Sequence, residues 1–144
     1  RGCQYPRRVP LDVALELGIP CSGWCPKGRL AEDGTIPDKY PLVETTSKLA
    51  VVRTQKNVLD SHATLVLTVG EPFGGTKQTI EFAKEHHRPH MVVDLETARD
   101  KAVEKVRKWI TVNGISELNV AGPRESDQPG IYGMVVEFLR RVVG

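Results

Sequence analysis

The sequence predicts an α/β fold in which helices cover both faces of a mostly parallel, doubly wound sheet. Three observations carry that expectation. Apolar, β-branched runs of strand length recur at 63–69, 89–95 and 116–122, and continuous runs of this kind suit strands buried on both faces. Segments with apolar residues at helical spacing separate them, and regular alternation of strand and helix marks parallel pairing through crossover connections. A chain of 144 residues is also long enough for one domain with a full hydrophobic core.

Taken in order, Leu11, Ala14 and Leu15, widened by Val13 and Leu17, give a short helix that stops at Gly18. Pro10 suits its first turn and Gly18 its C-terminal cap. Ile19–Cys25 reads as a short strand. The polar stretch from Pro26 to Glu44 is broken by Pro26, Gly28, Gly34, Pro37 and Pro41 and is expected as a long loop, a feature that is usually functional in a compact domain. Ser47 is expected to cap a helix running through Leu49, Val52 and Lys56 to about Leu59. The run 63–69 is the first fully buried strand, and Gly70 to Gly75 is a turn. Thr76 then opens a helix through Ile80, Phe82 and Ala83 to about His86. Pro89–Leu95 is the next strand. Ala98, Ala102, Val103, Val106, Trp109 and Ile110 mark a helix over 97–113, ended by Gly114. Ser116–Gly122 is the last strand. Met134, Val135, Phe138, Leu139 and Val142 line one face of a closing helix from Gly130 to Val143.

Composition excludes several classes. Lys+Arg 20 against Asp+Glu 18 leaves a net charge of +2, without the basic excess of a nucleic-acid-binding surface. A hydrophobic content of 40% argues against disorder, and no apolar run approaches the length of a bilayer span. Cys3, Cys21 and Cys25 form no disulfide framework, and no charged segment leading into an apolar one opens the sequence. A reduced, cytoplasmic setting is therefore expected.

Ligands of doubly wound folds sit at the carboxyl ends of the strands. Three polar segments follow strands here: 26–44, 70–76 and 122–129. In Gly70-Glu71-Pro72-Phe73-Gly74-Gly75-Thr76, two glycines allow close approach to a helix start whose free N–H groups attract anions. The same spacing also fits a tight turn with Thr76 as a cap; neither a dinucleotide nor an ATP-binding glycine motif is present. Arg124, in Gly122-Pro123-Arg124-Glu125-Ser126, can grip a phosphate or oxyanion with its fork of donors, or else pair with Glu125 at the surface. Lys27 and Arg29 can clamp an anion, and Glu32 or Asp33 can accept from a ribose hydroxyl or act as a base; a solvated charged loop is the plain alternative. Metal sites are not expected. Cys21 and Cys25 lack a second pair, and His86, His87 and His90 fall at the start of a strand, away from the ligand end.

A family pattern runs through these segments. It begins with Leu11-Asp12-x-Ala14-Leu15-x-Leu17-Gly18-Ile19-Pro20 and continues with Gly23-Trp24-Cys25-Pro26-Lys27-Gly28-Arg29, Ala31-Glu32-Asp33-Gly34 and Ile36-Pro37. Tyr40, Leu42, Glu44, Arg53-Thr54, Asn57-Val58 and Asp60-Ser61 follow. Then come Ala63-Thr64-Leu65, Gly74-Gly75-Thr76 with Thr79, the run from Asn119 to Ser126, and Pro129-Gly130-Ile131-Tyr132. In this pattern the chain resembles, over nearly its whole length, the putative molybdenum carrier proteins, circularly permuted members of the SLOG group of Rossmann-like domains.

The resemblance implies a single three-layer Rossmann-like domain over 1–144. Relatives of the SLOG group bind nucleotides or nucleotide-derived ligands, and the family name implies molybdate or a phosphorylated pterin such as the molybdenum cofactor. Gly74-Gly75-Thr76 resembles the group's Gly-Gly-rich phosphate loop without its full Pro-Gly-Gly-x-Gly-Thr-x-x-Glu signature, although Glu81 lies close to the acid's place. At the front the family has a strand and a Gly-Gly-Gln-Thr-Gly-type loop, where this chain has Gly2-Cys3-Gln4-Tyr5-Pro6-Arg7-Arg8 and no preceding strand.

The function expected is binding of a small anionic ligand rather than catalysis. Gly74, Gly75, Thr76, Gly122, Arg124 and Ser126 would hold the anion, Lys27 and Arg29 would close over it, and Glu32, Arg53 and Asn57 would supply side contacts. Two rivals stand beside it: a nucleotide N-glycosidase of the lonely-guy type using Glu32 or Glu81 with Arg124, and a regulatory module with a vestigial pocket. Pairing of apolar helix faces makes a homo-oligomer a further expectation.

Overall fold

The computed structural model describes residues 16, 23–25, 27–31, 34–35, 39, 42–47, 49–97 and 99–143. The elements in chain order are β1 (Gly23–Cys25), β2 (Leu30–Ala31), β3 (Gly34–Thr35), β4 (Leu42–Glu44), α1 (Ala50–Leu59), β5 (Ala63–Thr68), α2 (Gly74–Glu85), β6 (His90–Asp94), α3 (Arg99–Val112), β7 (Leu118–Ala121) and α4 (Ile131–Val143). The helix expected over 11–17 and the unusual opening segment lie outside the described residues, apart from helical Glu16.

The central sheet has the order β6-β5-β7, and both pairings are parallel. All six residues of β5 are buried, which is what its unbroken apolar and threonine run requires of a middle strand. Side chains alternate across a strand, and the two faces of β5 differ in what covers them. Leu65 and Leu67 join Val93, Leu95, Val120, residues Ala102, Val103 and Val106 of α3, and residues Ile131, Val135, Phe138, Leu139 and Val142 of α4 in one core. Phe138 is fully buried there; burial of such a side chain is worth about 1.5–3 kcal/mol. Thr64, Val66 and Thr68 point to the opposite face, where α1 and α2 pack on each other.

This division follows from handedness. The chain moves from β5 through α2 to β6 on one side, then returns through α3 past β5 to β7 on the other. Right-handed crossovers in opposite directions put their helices on opposite faces. The predicted three-layer α/β fold is therefore the observed one, and it is doubly wound. Adjacent strands β5 and β7 send their following helices to opposite faces, so their carboxyl ends flank the switch point where such folds form a crevice. There Gly122 passes so close to β5 that a Cβ would lie 2.5 Å from the Leu67 carbonyl oxygen.

Three local expectations are corrected. The stretch 26–44 is not one long loop. It holds the antiparallel pair β2–β3 and strand β4, which runs parallel to β1. Strands of two or three residues are too short to show periodicity. Ser47 does not cap α1. Leu49 is the N-cap residue, without a side-chain cap, and Ser47 Oγ instead accepts the Leu49 N–H at 3.1 Å. Helix α2 starts at Gly74, so Thr76 sits inside the first turn rather than at its cap.

Ion pairs tie the outer helices together. Arg141 of α4 bonds Asp100 in the first turn of α3 at 2.8 Å, and its guanidinium holds the Asp100 carboxyl below the ordinary carboxylate range. Arg140 reaches Glu16 at 2.9 Å. Among the described residues, no helix is long and apolar enough to cross a membrane.

Candidate functional site

At the carboxyl end of β5, the chain turns through residues 69–73 into α2. Phe73 is the N-cap residue, with extended backbone (φ −144°, ψ 169°), no side-chain cap and no acidic residue in the first turn behind it. The first helical bond runs from the Lys77 N–H to the Phe73 carbonyl at 3.3 Å. The N–H groups of Gly74, Gly75 and Thr76 consequently have no acceptor within the helix. A Cβ added at Gly74 or Gly75 would meet nothing within 4 Å among the described residues.

Thr76 makes the site more than an exposed helix end. It is 4% exposed, and its hydroxyl has no hydrogen-bond partner among the described residues. Buried hydroxyls are nearly always bonded, so each exception needs a reason. Helical Cα–Cβ bonds tilt toward the N-terminus, so the Thr76 side chain leaves the backbone toward the end where these N–H groups lie. One turn later the pattern is ordinary: Thr79 Oγ1 donates to the Gly75 carbonyl at 2.9 Å. Together the three amides, the hydroxyl and the positive end of the helix dipole can hold an anion.

The second loop, after β7, shows what a closed helix start looks like. Glu125 accepts the N–H of Gly130 and, at 3.0 Å, the N–H of Tyr132. Its carboxylate thus occupies the start of α4. Arg124 bonds Asp127 through Nε at 2.9 Å, while Glu125 takes the backbone donors left unpaired by the helix. Arg124 remains 48% exposed at the end of β7, beside Gly122 and the exposed Ser126.

The other expected contacts lie on α1 and in the turn after β1. Lys27 and Arg29 follow β1, in a turn held by the Lys27 N–H to the Ser47 carbonyl (2.8 Å) and the Gly28 N–H to Glu44 Oε1 (2.7 Å). Arg29 adopts φ +54°, a left-handed conformation unusual for a residue with a side chain. Arg53 and Asn57 are each 1% exposed on α1, with Thr54 beside them at 3%. Arg53 is the largest fully buried side chain described. Neither it nor Asn57 is without a partner. Glu32 lies outside the described residues, and Glu81 is exposed in α2.

Asp94 was not singled out by the sequence. It ends β6, is half-buried, and its Oδ1 accepts the Glu96 N–H at 3.0 Å. The available signal was an acid terminating an apolar strand. The histidines fall elsewhere: His86 lies within hydrogen-bond distance of Gln55 at 3.3 Å, at the far end of α2. Among the described residues, no group of three His, Cys, Asp or Glu side chains is placed to hold a metal ion.

A search of curated proteins finds no match. Among solved structures, the chain is similar to a protein from Syntrophus aciditrophicus SB named a putative molybdenum carrier protein. The two share 37% identity and a TM-score of 0.96, over 99% of this chain and 92% of that one. The family model described as the circularly permutated YpsA SLOG family matches residues 3–143. The doubly wound fold, the near-complete overlap with the solved relative and the family match agree, and the chain belongs to the circularly permutated YpsA SLOG family.

Proposed function

We propose that this protein binds a small phosphorylated or oxyanion ligand at the carboxyl edge of its sheet, with the start of α2 as the anion site. The carrying observation is the buried Thr76 hydroxyl, without a partner among the described residues, at a helix start that has no cap. Gly74, Gly75 and Thr76 contact the anion. Gly122, Arg124 and Ser126 border it across the switch point, and Lys27, Arg29, Glu32, Arg53 and Asn57 form the outer contacts. The name of the solved relative supports molybdate or a molybdenum-bearing pterin as the ligand; a nucleotide presents the same phosphate chemistry. The cleft is read as a binding site within one domain of a cytoplasmic protein.

Neither rival gains support from a particular feature of the site. Glu81 is exposed well along α2 rather than at its start. Titration calorimetry with molybdate, inorganic phosphate, AMP and a pterin phosphate tests the proposal, using wild-type protein and Gly75→Asp. The variant places a carboxylate at the helix start, where it favours the helix dipole by about 0.3–1 kcal/mol while repelling an incoming anion. At least one ligand should bind the wild type, and the variant should lose it at least tenfold while remaining folded. Absence of heat from all four, or equal binding by the variant, contradicts the assignment.

A further inference from the structure

We infer that the outer edge of β6 is an interface between two copies of this chain, paired antiparallel about a two-fold axis at Val92 into one continuous sheet. Strand β6 lies at the end of the order β6-β5-β7, and among the described residues no strand pairs with its other side. The Thr64 N–H donates to the Pro89 carbonyl at 3.0 Å, and the Leu95 N–H donates to the Thr68 carbonyl at 2.8 Å. Backbone groups of successive strand residues alternate in direction. The odd-numbered positions between these two bonds therefore face β5, and His90, Val92 and Asp94 turn their N–H and C=O groups outward. Proteins commonly blunt such an edge with proline, lysine or a bulge. The strand His-Met-Val-Val-Asp has neither residue, and its register with β5 is unbroken.

Side chains and charge select the occupant. His90, Val92 and Asp94 share one face of the strand. Val92 is 42% exposed at its centre, although Val66 beside it in β5 is fully buried. Antiparallel pairing centred on Val92 sets this side chain against Val92 of the second copy. In that register every residue with outward backbone groups meets another, and each pair exchanges both hydrogen bonds. The same register sets His90 against Asp94 of the other copy and, continued past the strand ends, Arg88 against Glu96. Asp94 Oδ1 already accepts the Glu96 N–H, and Oδ2 serves a donor opposite. Each contact occurs twice, as a two-fold axis requires. Parallel self-pairing would instead oppose His90 to His90 and Asp94 to Asp94. Opposite charges facing each other across strands contribute about 0.2–1 kcal/mol, and like charges oppose pairing. The basic-apolar-acidic order of 88–96 is thus complementary to its own reverse, which points to a second copy rather than to an unrelated strand.

Sedimentation equilibrium on the full chain tests this, with wild type, Val92→Arg, Arg88→Glu, Glu96→Arg and the double charge swap. Wild type is expected to show a reversible monomer–dimer equilibrium. Val92→Arg puts two like charges at the axis and should be monomeric, with a wild-type circular dichroism spectrum. Each single reversal should weaken the dimer by about threefold to tenfold, the size expected for two opposed surface pairs. The double swap restores opposite charges and should return the dimer to within about twofold of wild type. That rescue separates facing charges from a general loss of stability. A wild type that stays monomeric up to its solubility limit overturns the proposal. So does a dimer that survives Val92→Arg, or a double swap no better than the single reversals.

Discussion

Single residues decide whether the sheet's carboxyl edge can be built. Gly122 has the tightest constraint, because any Cβ would press on the Leu67 carbonyl, a backbone atom inside a fully buried strand. Gly122→Ala should therefore cost about 1–3 kcal/mol, the usual range for overpacking, seen as a lower midpoint in urea unfolding. Thr76 illustrates the opposite case. Its burial was not legible in the sequence, where a threonine after two glycines reads equally well as a cap. The helix in fact begins two residues earlier, at Gly74. That shift moves Thr76 from the cap into the first turn of its helix, with its side chain buried. The Arg124–Asp127 bond was equally hidden, since nothing local distinguishes Asp127 from the adjacent Glu125 as a partner.

At the scale of elements, α2 and α4 start at the same edge of the sheet and solve the helix-end problem differently. Helix α4 takes the Glu125 carboxylate onto the Gly130 and Tyr132 N–H groups, whereas α2 has no side-chain cap. Glu125→Ala should thus destabilise the protein by about 0.5–2 kcal/mol, the range for a lost helix cap, measured by chemical denaturation. Helices α3 and α4 were legible because their apolar residues recur at helical spacing over about three turns, and α2 through its glycine-threonine start and the apolar residues Ile80, Phe82 and Ala83. The long strands β5 and β6 were legible through unbroken apolar runs. The short strands β2, β3 and β4 were not, because two or three residues within a polar stretch carry no period. The capping role of Glu125 spans five to seven positions and a turn, which local pattern does not reveal.

For the whole molecule, strand order gives the candidate site its location. The alternation of elements predicted a parallel sheet, but only the order β6-β5-β7 shows where the winding reverses. That reversal brings the loops after β5 and β7 to one edge, uniting residues 74–76 with 122–126, which the sequence could name only as separate strand-end loops. Asp94, at the end of β6, is in register with Thr68, a relation that depends on the pairing of strands. The central claim concerns the open start of α2, and amide NMR during titration with inorganic phosphate tests it most directly. The account predicts saturable shifts at the Gly74, Gly75 and Thr76 amides, with the Gly130 and Tyr132 amides little changed because Glu125 already occupies them. Shifts confined to other regions, or no saturable shift at these three amides, would contradict it.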